Sequence, residues 1–240
     1  MSKRQLINLF LSLPLFFLPA CIFMGPAIRG EGEVTEERRN ITDFGEIEVS
    51  RGLEVFLVPD SQEFVVVEAD KNLHGVILTK SENGTLEVYT EKFIRSAQSR
   101  KVHVHYVHLR GIRSTSGAMI QSRGPVRSKK LEISASSGSR QKLEVDAGQF
   151  DGRCSSGAQI DLEGKAGRAT LKASSGAQLN GDDFVTSECH AKSSSGAHVR
   201  TGVKDKLVAQ ASSGGHIYYY GSPATTRFES SSGGSIRKEN

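Results

Sequence analysis

The chain has 240 residues, a length that accommodates one or two domains with a hydrophobic core. Its hydrophobic content of 37%, its 25 glycines and its lack of Trp are unusual for a two-layer domain but suit an all-β repeat. The net charge of +4 becomes +2 if the first twenty residues are removed, because Lys3 and Arg4 leave with them. So balanced a charge argues against a nucleic-acid-binding protein.

Residues 1–20 have the features of a lipoprotein signal peptide. Lys3 and Arg4 precede the apolar run "LINLFLSLPLFFLPA", whose fifteen residues are too few for a membrane span. The run ends in "LPAC", which resembles a bacterial lipobox with small Ala20 before Cys21. The alternative is an ordinary signal peptide followed by an unrelated Cys. We expect cleavage before Cys21 and lipidation of its thiol, so that two or more acyl chains anchor the protein to a membrane.

Residues 21–40 are mixed and acidic in the middle, and they predict a flexible tether. Residues 41–110 form an N-terminal β-strand region, because "FGEIEVSRGLEVFLVP", "EFVVVEAD" and "KVHVHYVHL" have the alternation or the β-branched content of strands. Asn83-Gly84 between two such runs predicts a two-residue β-hairpin turn. No segment predicts a long helix.

Residues 111–240 contain a repeat marked by the Gly of each Ser-Gly pair. The markers follow one another at intervals of 21, 19, 19, 20, 18 and 19 residues and are Gly117, Gly138, Gly157, Gly176, Gly196, Gly214 and Gly233. Odd positions from seven before to three after the marker are mostly apolar or small, and even positions are polar. Period two inside period nineteen predicts an all-β fold, a right-handed parallel β-helix-like solenoid with coils of ~19 residues, preceded by the hairpin-rich N-terminal part. A β-sandwich is the remaining alternative.

The Ser directly before each marker shares the odd parity of the apolar rows. We therefore predict that it points inward and hydrogen-bonds to its copies in the stacked coils, about 4.8 Å away. The seven residues are Ser116, Ser137, Ser156, Ser175, Ser195, Ser213 and Ser232.

The same register separates Cys154 and Cys189 by about two coils, or roughly 9 to 10 Å. A disulfide needs Cα atoms within about 7 Å. We predict two free, buried thiols.

The order of these segments resembles one known family. A lipobox, "RNITDFGEIEVSRGLEVFLVPDSQEFVVVEAD", "LEVYT", "KVHVHYVHLRGIRSTSGAM" and Ser-Ser-Gly coils ending in "SSGGSIR" are similar to the putative auto-transporter adhesin, head GIN domain family of bacterial surface lipoproteins. The resemblance covers residues 40–240. It implies one continuous head GIN domain over 41–240, a β-helix-like fold and a place in the cell envelope as an outer-membrane lipoprotein, surface-exposed or facing the periplasm. It carries no catalytic residues.

His103 and His105 are candidate metal ligands, since residues two apart in a strand share a face. The alternative is a solvated strand face, because no third ligand is evident. Carboxylates are not grouped as a polysaccharide-active enzyme would need. We therefore expect no enzymatic activity, no metal and no cofactor.

Outward positions four before and two after the marker carry Arg, Lys, Gln and His, a composition suited to hydrogen-bonding a glycan. Tyr218 and Tyr220 are placed to stack on a sugar ring. The alternative is a solvated face. The candidate ligand-binding residues are Arg153, Gln159, Lys172, Gln178, Lys192, His198, Tyr218 and Tyr220. We expect a non-enzymatic adhesin for a glycan or another surface ligand, with a scaffold module that binds an envelope protein as the alternative and a polysaccharide-active enzyme as a third class.

Overall fold

The computed structural model describes residues 27–239, and strands dominate them. The signal peptide and the lipidation site Cys21 lie outside these residues. Within 27–239 the only helical element is a 3₁₀ turn at Lys71–Leu73, and no helix there is long and apolar enough to cross a bilayer. The strands are β1 (Ala27–Arg29), β2 (Val34–Arg39), β3 (Glu46–Val49), β4 (Glu54–Pro59), β5 (Phe64–Asp70), β6 (Ile77–Glu82), β7 (Thr85–Thr90), β8 (Phe93–Ser96), β9 (Arg100–Tyr106), β10 (Gly111–Ser114), β11 (Met119–Ser122), β12 (Val126–Ala135), β13 (Arg140–Cys154), β14 (Gln159–Ala173), β15 (Gln178–Ser193), β16 (His198–Ala211), β17 (His216–Tyr220), β18 (Thr225–Ser230) and β19 (Ser235–Lys238).

The repeat region is a parallel β-solenoid of about seven turns with coils about 19 residues apart. β13 pairs with β14 nearly residue for residue, and β14 pairs in the same way with β15. In β13 and β14 the alternation of buried and exposed residues breaks near the middle of the strand, where two successive residues are exposed, Gly148 and Gln149 in β13 and Gly167 and Arg168 in β14. We call this point the bend, and the register places it near Glu188 in β15 and near Lys206 in β16. A coil therefore has a leading arm, from the Ser-Gly turn to the bend, and a trailing arm, from the bend to the next turn. The predicted fold class is confirmed.

The core lies between the two arms. In the middle coils the rows seven, five and three before the marker and one and three after it are buried, as the alternation predicts. Phe150 and Phe184 fill the interior with ring centroids 5.1 Å apart. Gln141 is the polar exception, and its amide donates to the Ser114 hydroxyl (2.9 Å) and to the Ser134 carbonyl (2.8 Å). Cys154 and Cys189 are free and buried, as predicted.

The Ser before each marker does not point inward, and this prediction is wrong. Ser116, Ser137, Ser156, Ser175, Ser195, Ser213 and Ser232 are all exposed. Each has a φ near +50° and is followed by a Gly with a φ near +70°. Two successive residues of positive φ form a type I′ turn, which reverses the chain and ends the alternation. The ladder at this edge runs through the backbone, since the Gly138 amide donates to the Ser156 carbonyl at 3.1 Å and the other coils repeat this bond.

The N-terminal strand region joins the solenoid in register. β3 and β4 pair in parallel with β10 and β11, so Arg51-Gly52 lies beside the Ser116-Gly117 turn. Arg51 and Gly52 have φ values of 58° and 69°, and the Gly52 amide donates to the Ser116 carbonyl (3.0 Å). This is an additional copy of the turn without its Ser. The hairpin predicted at Asn83-Gly84 also forms, between antiparallel β6 and β7.

Part of the segment expected to be a flexible tether is ordered. β1 pairs with β8, and β2 pairs antiparallel with β5. The Arg39 guanidinium donates to the carbonyls of His74 and Ile77 (2.7 Å each) and to the Thr79 hydroxyl (3.1 Å). Most side chains of β2 are exposed, so the sequence has no apolar alternation there, and backbone pairing and Arg39 fix the segment instead.

Candidate functional site

The leading arms form one outward surface that runs the length of the molecule. Through the pairing of β11 with β4 and of β4 with β9, this surface continues onto the N-terminal strands. We call it the leading face. Its row two after the marker is aligned in register and comprises Met119, Arg140, Gln159, Gln178, His198, His216 and Ser235.

The structure divides the predicted ligand-binding residues between two surfaces. Gln159, Gln178, His198, Tyr218 and Tyr220 lie on the leading face. Arg153, Lys172 and Lys192 lie on the trailing arms, where they are direct neighbours in register. The type I′ turns separate the two sets, because each turn reverses the chain between position four before the marker and position two after it.

The trailing row is a line of exposed cations. Arg153 donates to the Asp151 carboxylate at 2.9 Å. Lys172 and Lys192 are exposed and form no ion pair with any residue of the described chain. These two ammonium groups are therefore available to an anion.

An aromatic cluster occupies the C-terminal end of the leading face and consists of His198, His216, Tyr218 and Tyr220. The His198 and His216 rings stack with centroids 5.0 Å apart. Tyr218 is nearly parallel to both at 6.4 and 6.3 Å. The Arg200 guanidinium lies 5.2 Å from the Tyr218 ring centre. Tyr218 thus stacks within the protein, and all four rings are partly exposed.

A hydrogen-bonded network holds Tyr220 at the border of this cluster. Its hydroxyl oxygen lies 2.6 Å from Glu239 Oε2 and 2.9 Å from Asp182 Oδ1, so its one proton is shared between two carboxylates. These bonds, with some burial, raise the pKa of Tyr220 well above its usual range. Arg200 donates to the Glu239 carboxylate at 2.9 Å and lies 3.5 Å from Asp182. Sequence reasoning did not single out Arg200 or Glu239, although register places Arg200 beside Tyr218.

Burial lowers the pKa of the His198 imidazole, and the neighbouring His216 and Arg200 lower it further, which favours its neutral form. A neutral imidazole offers one donor and one acceptor.

The amide groups of the leading face differ in availability. Gln159 donates to the Asp161 carboxylate (2.9 Å), which also accepts from Asn180 (2.8 Å). Gln178 is exposed beside them. Gln178 and His198 are adjacent in register, so an amide and an imidazole are presented side by side.

His103 and His105 share the outward side of β9, as predicted, but each is held by its own carboxylate. His103 Nε2 lies 3.4 Å from Glu68 Oε2, and His105 Nδ1 lies 2.8 Å from Asp60 Oδ2. Each ring also stacks on a Phe, His103 on Phe56 and His105 on Phe64. No group of three or more His, Cys, Asp or Glu residues is positioned to hold a metal ion within residues 27–239.

The fold and this surface define a class, the parallel β-solenoid with a polar and aromatic outer face. Residues 43–223 match the family model described as "Putative auto-transporter adhesin, head GIN domain". The chain belongs to this family, and the resemblance stated from its sequence is confirmed. An adhesin-like family indicates a cell-surface or envelope protein. A comparison with curated proteins found no significant match.

Solved structures share the fold at low sequence identity. A putative adhesin from Bacteroides fragilis has a TM-score of 0.83 at 15% identity, over 88% of this chain and 100% of its own. A putative adhesin from Parabacteroides merdae gives 0.71 at 18% identity, over 90% of this chain and 100% of its own. A putative lipid binding protein from Parabacteroides distasonis gives 0.66 at 19% identity, over 89% of this chain and 100% of its own. The family and two of these neighbours are described as putative adhesins, and the third as a putative lipid binding protein.

Proposed function

We propose that this protein is a non-enzymatic, lipid-anchored adhesin of the cell envelope that binds a glycan through its leading face. The observation that carries the proposal is the aligned row of Gln159, Gln178, His198 and His216. Successive coils lie about 4.8 Å apart, so the row presents hydrogen-bonding groups at a regular spacing along a line. An extended oligosaccharide, with hydroxyls along its length, is complementary to such a row.

The aromatic cluster supports an uncharged sugar as the ligand. The imidazoles and the Tyr218 ring stack on one another and are partly exposed, so their nitrogen and hydroxyl groups can hydrogen-bond to the hydroxyls of a saccharide at the C-terminal end of the row. The Arg200 and Tyr220 network fixes the position of these rings, which lowers the entropic cost of binding.

A glycan array with the purified chain tests this assignment. The double variant Gln178→Ala/His198→Ala should weaken binding to any glycan that the wild type retains by at least about tenfold, because each hydrogen bond contributes about 1 kcal/mol. Lys172→Ala/Lys192→Ala is the matched control, since its positions flank the same two turns on the trailing arms. It should change the affinity by less than about twofold.

Two outcomes contradict the proposal. Loss of binding in the lysine variant alone would move the site to the trailing row. No glycan signal, together with a stable co-purifying envelope protein, would instead favour a scaffold module.

The lipid anchor is proposed from the lipobox at Cys21 and from the envelope character of the family. Cys21→Ser should release the protein from the membrane fraction, with Cys154→Ser as a control because that thiol is buried in the core. Unchanged membrane association of Cys21→Ser would reject the anchor.

A further inference from the structure

A basic groove follows the bends of the coils, on the edge of the solenoid opposite the Ser-Gly turns. Three adjoining hollows of about 870, 620 and 230 Å³ form this groove. Gly167 lines all three hollows, and Gly148 lines the two larger ones. The groove starts at the loop of His108 and reaches the bend of the coil that holds Lys204. It thus extends across several coils.

Small residues form the floor of this groove. Ala147 and Ala166 are buried, and Gly148 and Gly167 leave backbone bare between them. A Cβ at Gly148 would lie 2.8 Å from the Lys129 carbonyl oxygen, so a side chain cannot be added there without moving the backbone. The bends at Gly148 and Gly167 therefore require the small residues that open the groove at these two coils.

Cations line the walls. The basic side chains that line the three hollows are Arg110, Arg127, Lys129, Lys130, Lys165, Arg168 and Lys204, whereas the acidic ones are Asp146 and Glu188. Arg110 and Lys130 are paired with Glu46 and Glu132, which lie outside the lining of the groove. Lys165 and Arg168 contact the two lining acids only at 3.7 and 4.0 Å. Arg127, Lys129 and Lys204 are exposed and have no ion-pair partner in the chain between residues 27 and 239. Positive charges gathered in a concave surface attract anions from solution.

We infer that this groove binds an extended anionic polysaccharide, one that carries sulfate or carboxylate groups along its length. A polymer fits better than a small ion, because the cations are distributed over several coils instead of converging on one point. A single-stranded nucleic acid fits less well, since no Phe, Tyr or Trp lines the three hollows for its bases to stack on. The inference does not depend on the proposed glycan site, which lies on the leading face.

Dextran sulfate and unmodified dextran of the same chain length are suitable probes, because they differ only in charge. Calorimetry on the purified chain should show binding of dextran sulfate and no binding of dextran. Arg127→Glu/Lys129→Glu/Lys204→Glu should weaken that binding by at least about tenfold, and raising the salt to about 0.5 M should weaken wild-type binding as well.

Lys71→Glu/Lys92→Glu/Arg95→Glu is the matched control, with the same change in net charge at exposed sites outside the groove. It should reduce the affinity by less than about threefold. If both triple variants lose binding equally, the attraction is a property of net charge and the groove assignment is overturned.

Three further results would also overturn it: equal binding of unmodified dextran, binding that resists salt, or groove-dependent binding of phosphatidylglycerol vesicles or single-stranded DNA in the absence of dextran sulfate binding. Thermal unfolding of every variant confirms that it is folded. The neutral variant Arg127→Gln/Lys129→Gln/Lys204→Gln replaces the Glu variant if that one is unfolded, and it should still lower the affinity by at least about fivefold. Failure of the leading-face variants in the glycan array leaves these measurements unaffected.

Discussion

The Ser before each repeat Gly has a conformation that is costly for its residue type. Ser175 has a φ of 54°, and left-handed backbone costs an ordinary L-residue about 1–2 kcal/mol. The turn persists because its backbone groups are paired, with the Gly176 amide donating to the Ser195 carbonyl (3.0 Å) and the Ala177 amide to the Ser174 carbonyl (3.2 Å). These bonds belong to the backbone, so the side chain at position 175 can change without losing them.

Ser175→Asn should stabilise the protein by about 0.5–1 kcal/mol, because Asn adopts the left-handed region more readily than Ser. Ser175→Val should destabilise it by about 1–2 kcal/mol, since a β-branched residue is strained there. Urea unfolding measures both free energies.

Ser174→Asn and Ser174→Val are the controls for that pair, because Ser174 is not among the residues of positive φ. The Asn variant should bring no gain at position 174. Equal stability of Ser175→Asn and Ser175→Val would show that the turn conformation is not what limits this position.

At this scale the sequence contained a signal that our prediction used only once. Asn83-Gly84 has φ values of 51° and 76°, and Ser175-Gly176 has 54° and 69°, so both pairs form the same turn. The first was predicted because Asn-Gly is the common dipeptide for a type I′ turn. The prediction for the Ser175 side chain was wrong because it assumed that the strand alternation continues through the turn. A type I′ turn ends that alternation.

Among the strands, β2 protects an edge that would otherwise be open. β5 is paired with β9 on one side and with β2 on the other. An uncovered strand edge offers unpaired amides and carbonyls to other chains. Arg39 fixes β2 through its bonds to the carbonyls of His74 and Ile77, and its side chain is only 17% exposed.

Arg39→Ala should therefore cost about 2 kcal/mol of folding free energy, the range for hydrogen bonds to a charged group. Hydrogen exchange of the β2 and β5 amides should accelerate in the same variant. Both quantities can be measured on the purified chain, by denaturant unfolding and by mass spectrometry.

The neighbouring Arg38 provides the comparison, because it is exposed and only stacks on Phe64 at 3.6 Å. Arg38→Ala should cost about 0.5–1 kcal/mol, the value for an exposed cation–π contact. A loss in Arg39→Ala no larger than in Arg38→Ala would mean that backbone pairing alone holds the strand.

The mid-coil bend and its groove are the elements that sequence reasoning missed. The alternating rows extend from seven residues before each marker to three after it, and Lys129, Gly148 and Lys165 lie outside them. Spacing varies at the bend, since β15 and β16 shift register near Thr186, so the repeat carries no fixed residue type there. The residues beside the regular turn were predictable, whereas those beside the irregular bend needed coordinates.

For the molecule as a whole, stability depends on contacts between neighbouring coils. In a solenoid each coil packs on the coils beside it, so a terminal coil has only one neighbour. Every residue of β18 is exposed, and Phe228, which occupies an inward row, remains 43% accessible. Within residues 27–239, the coil of β18 and β19 is thus the least protected part of the solenoid.

Hydrogen exchange should reveal this gradient. Amides of β18 and β19 should exchange at least about tenfold faster than those of β14 and β15, because local opening of the last coil exposes little additional apolar surface. Peptides from 221–239 and from 159–193 can be compared in one experiment. Uniform protection along the chain would show instead that the stack opens as one cooperative unit.

The solenoid architecture was predictable because the same types of residue recur at equivalent positions of each coil. Period two within period nineteen identified the solenoid, and it placed Leu171 and Ile160 in its core and Cys154 away from Cys189. The ordered conformation of β2 was not predictable, because a strand with exposed side chains pairs through its backbone and shows no alternation of apolar residues. The division of Lys172 from Gln178 by a turn was likewise invisible until the direction of the chain was known.

Because the coils pair in register, each coil contributes one residue to every row of the leading face, and this contribution can change coil by coil. A substitution two residues after a marker changes the outer face over about 4.8 Å and leaves the turn and the buried rows untouched. Removal or addition of a whole nineteen-residue coil shortens or lengthens the surface while the remaining rows stay aligned. The composition and the length of this surface can therefore change independently of the residues that keep the chain folded.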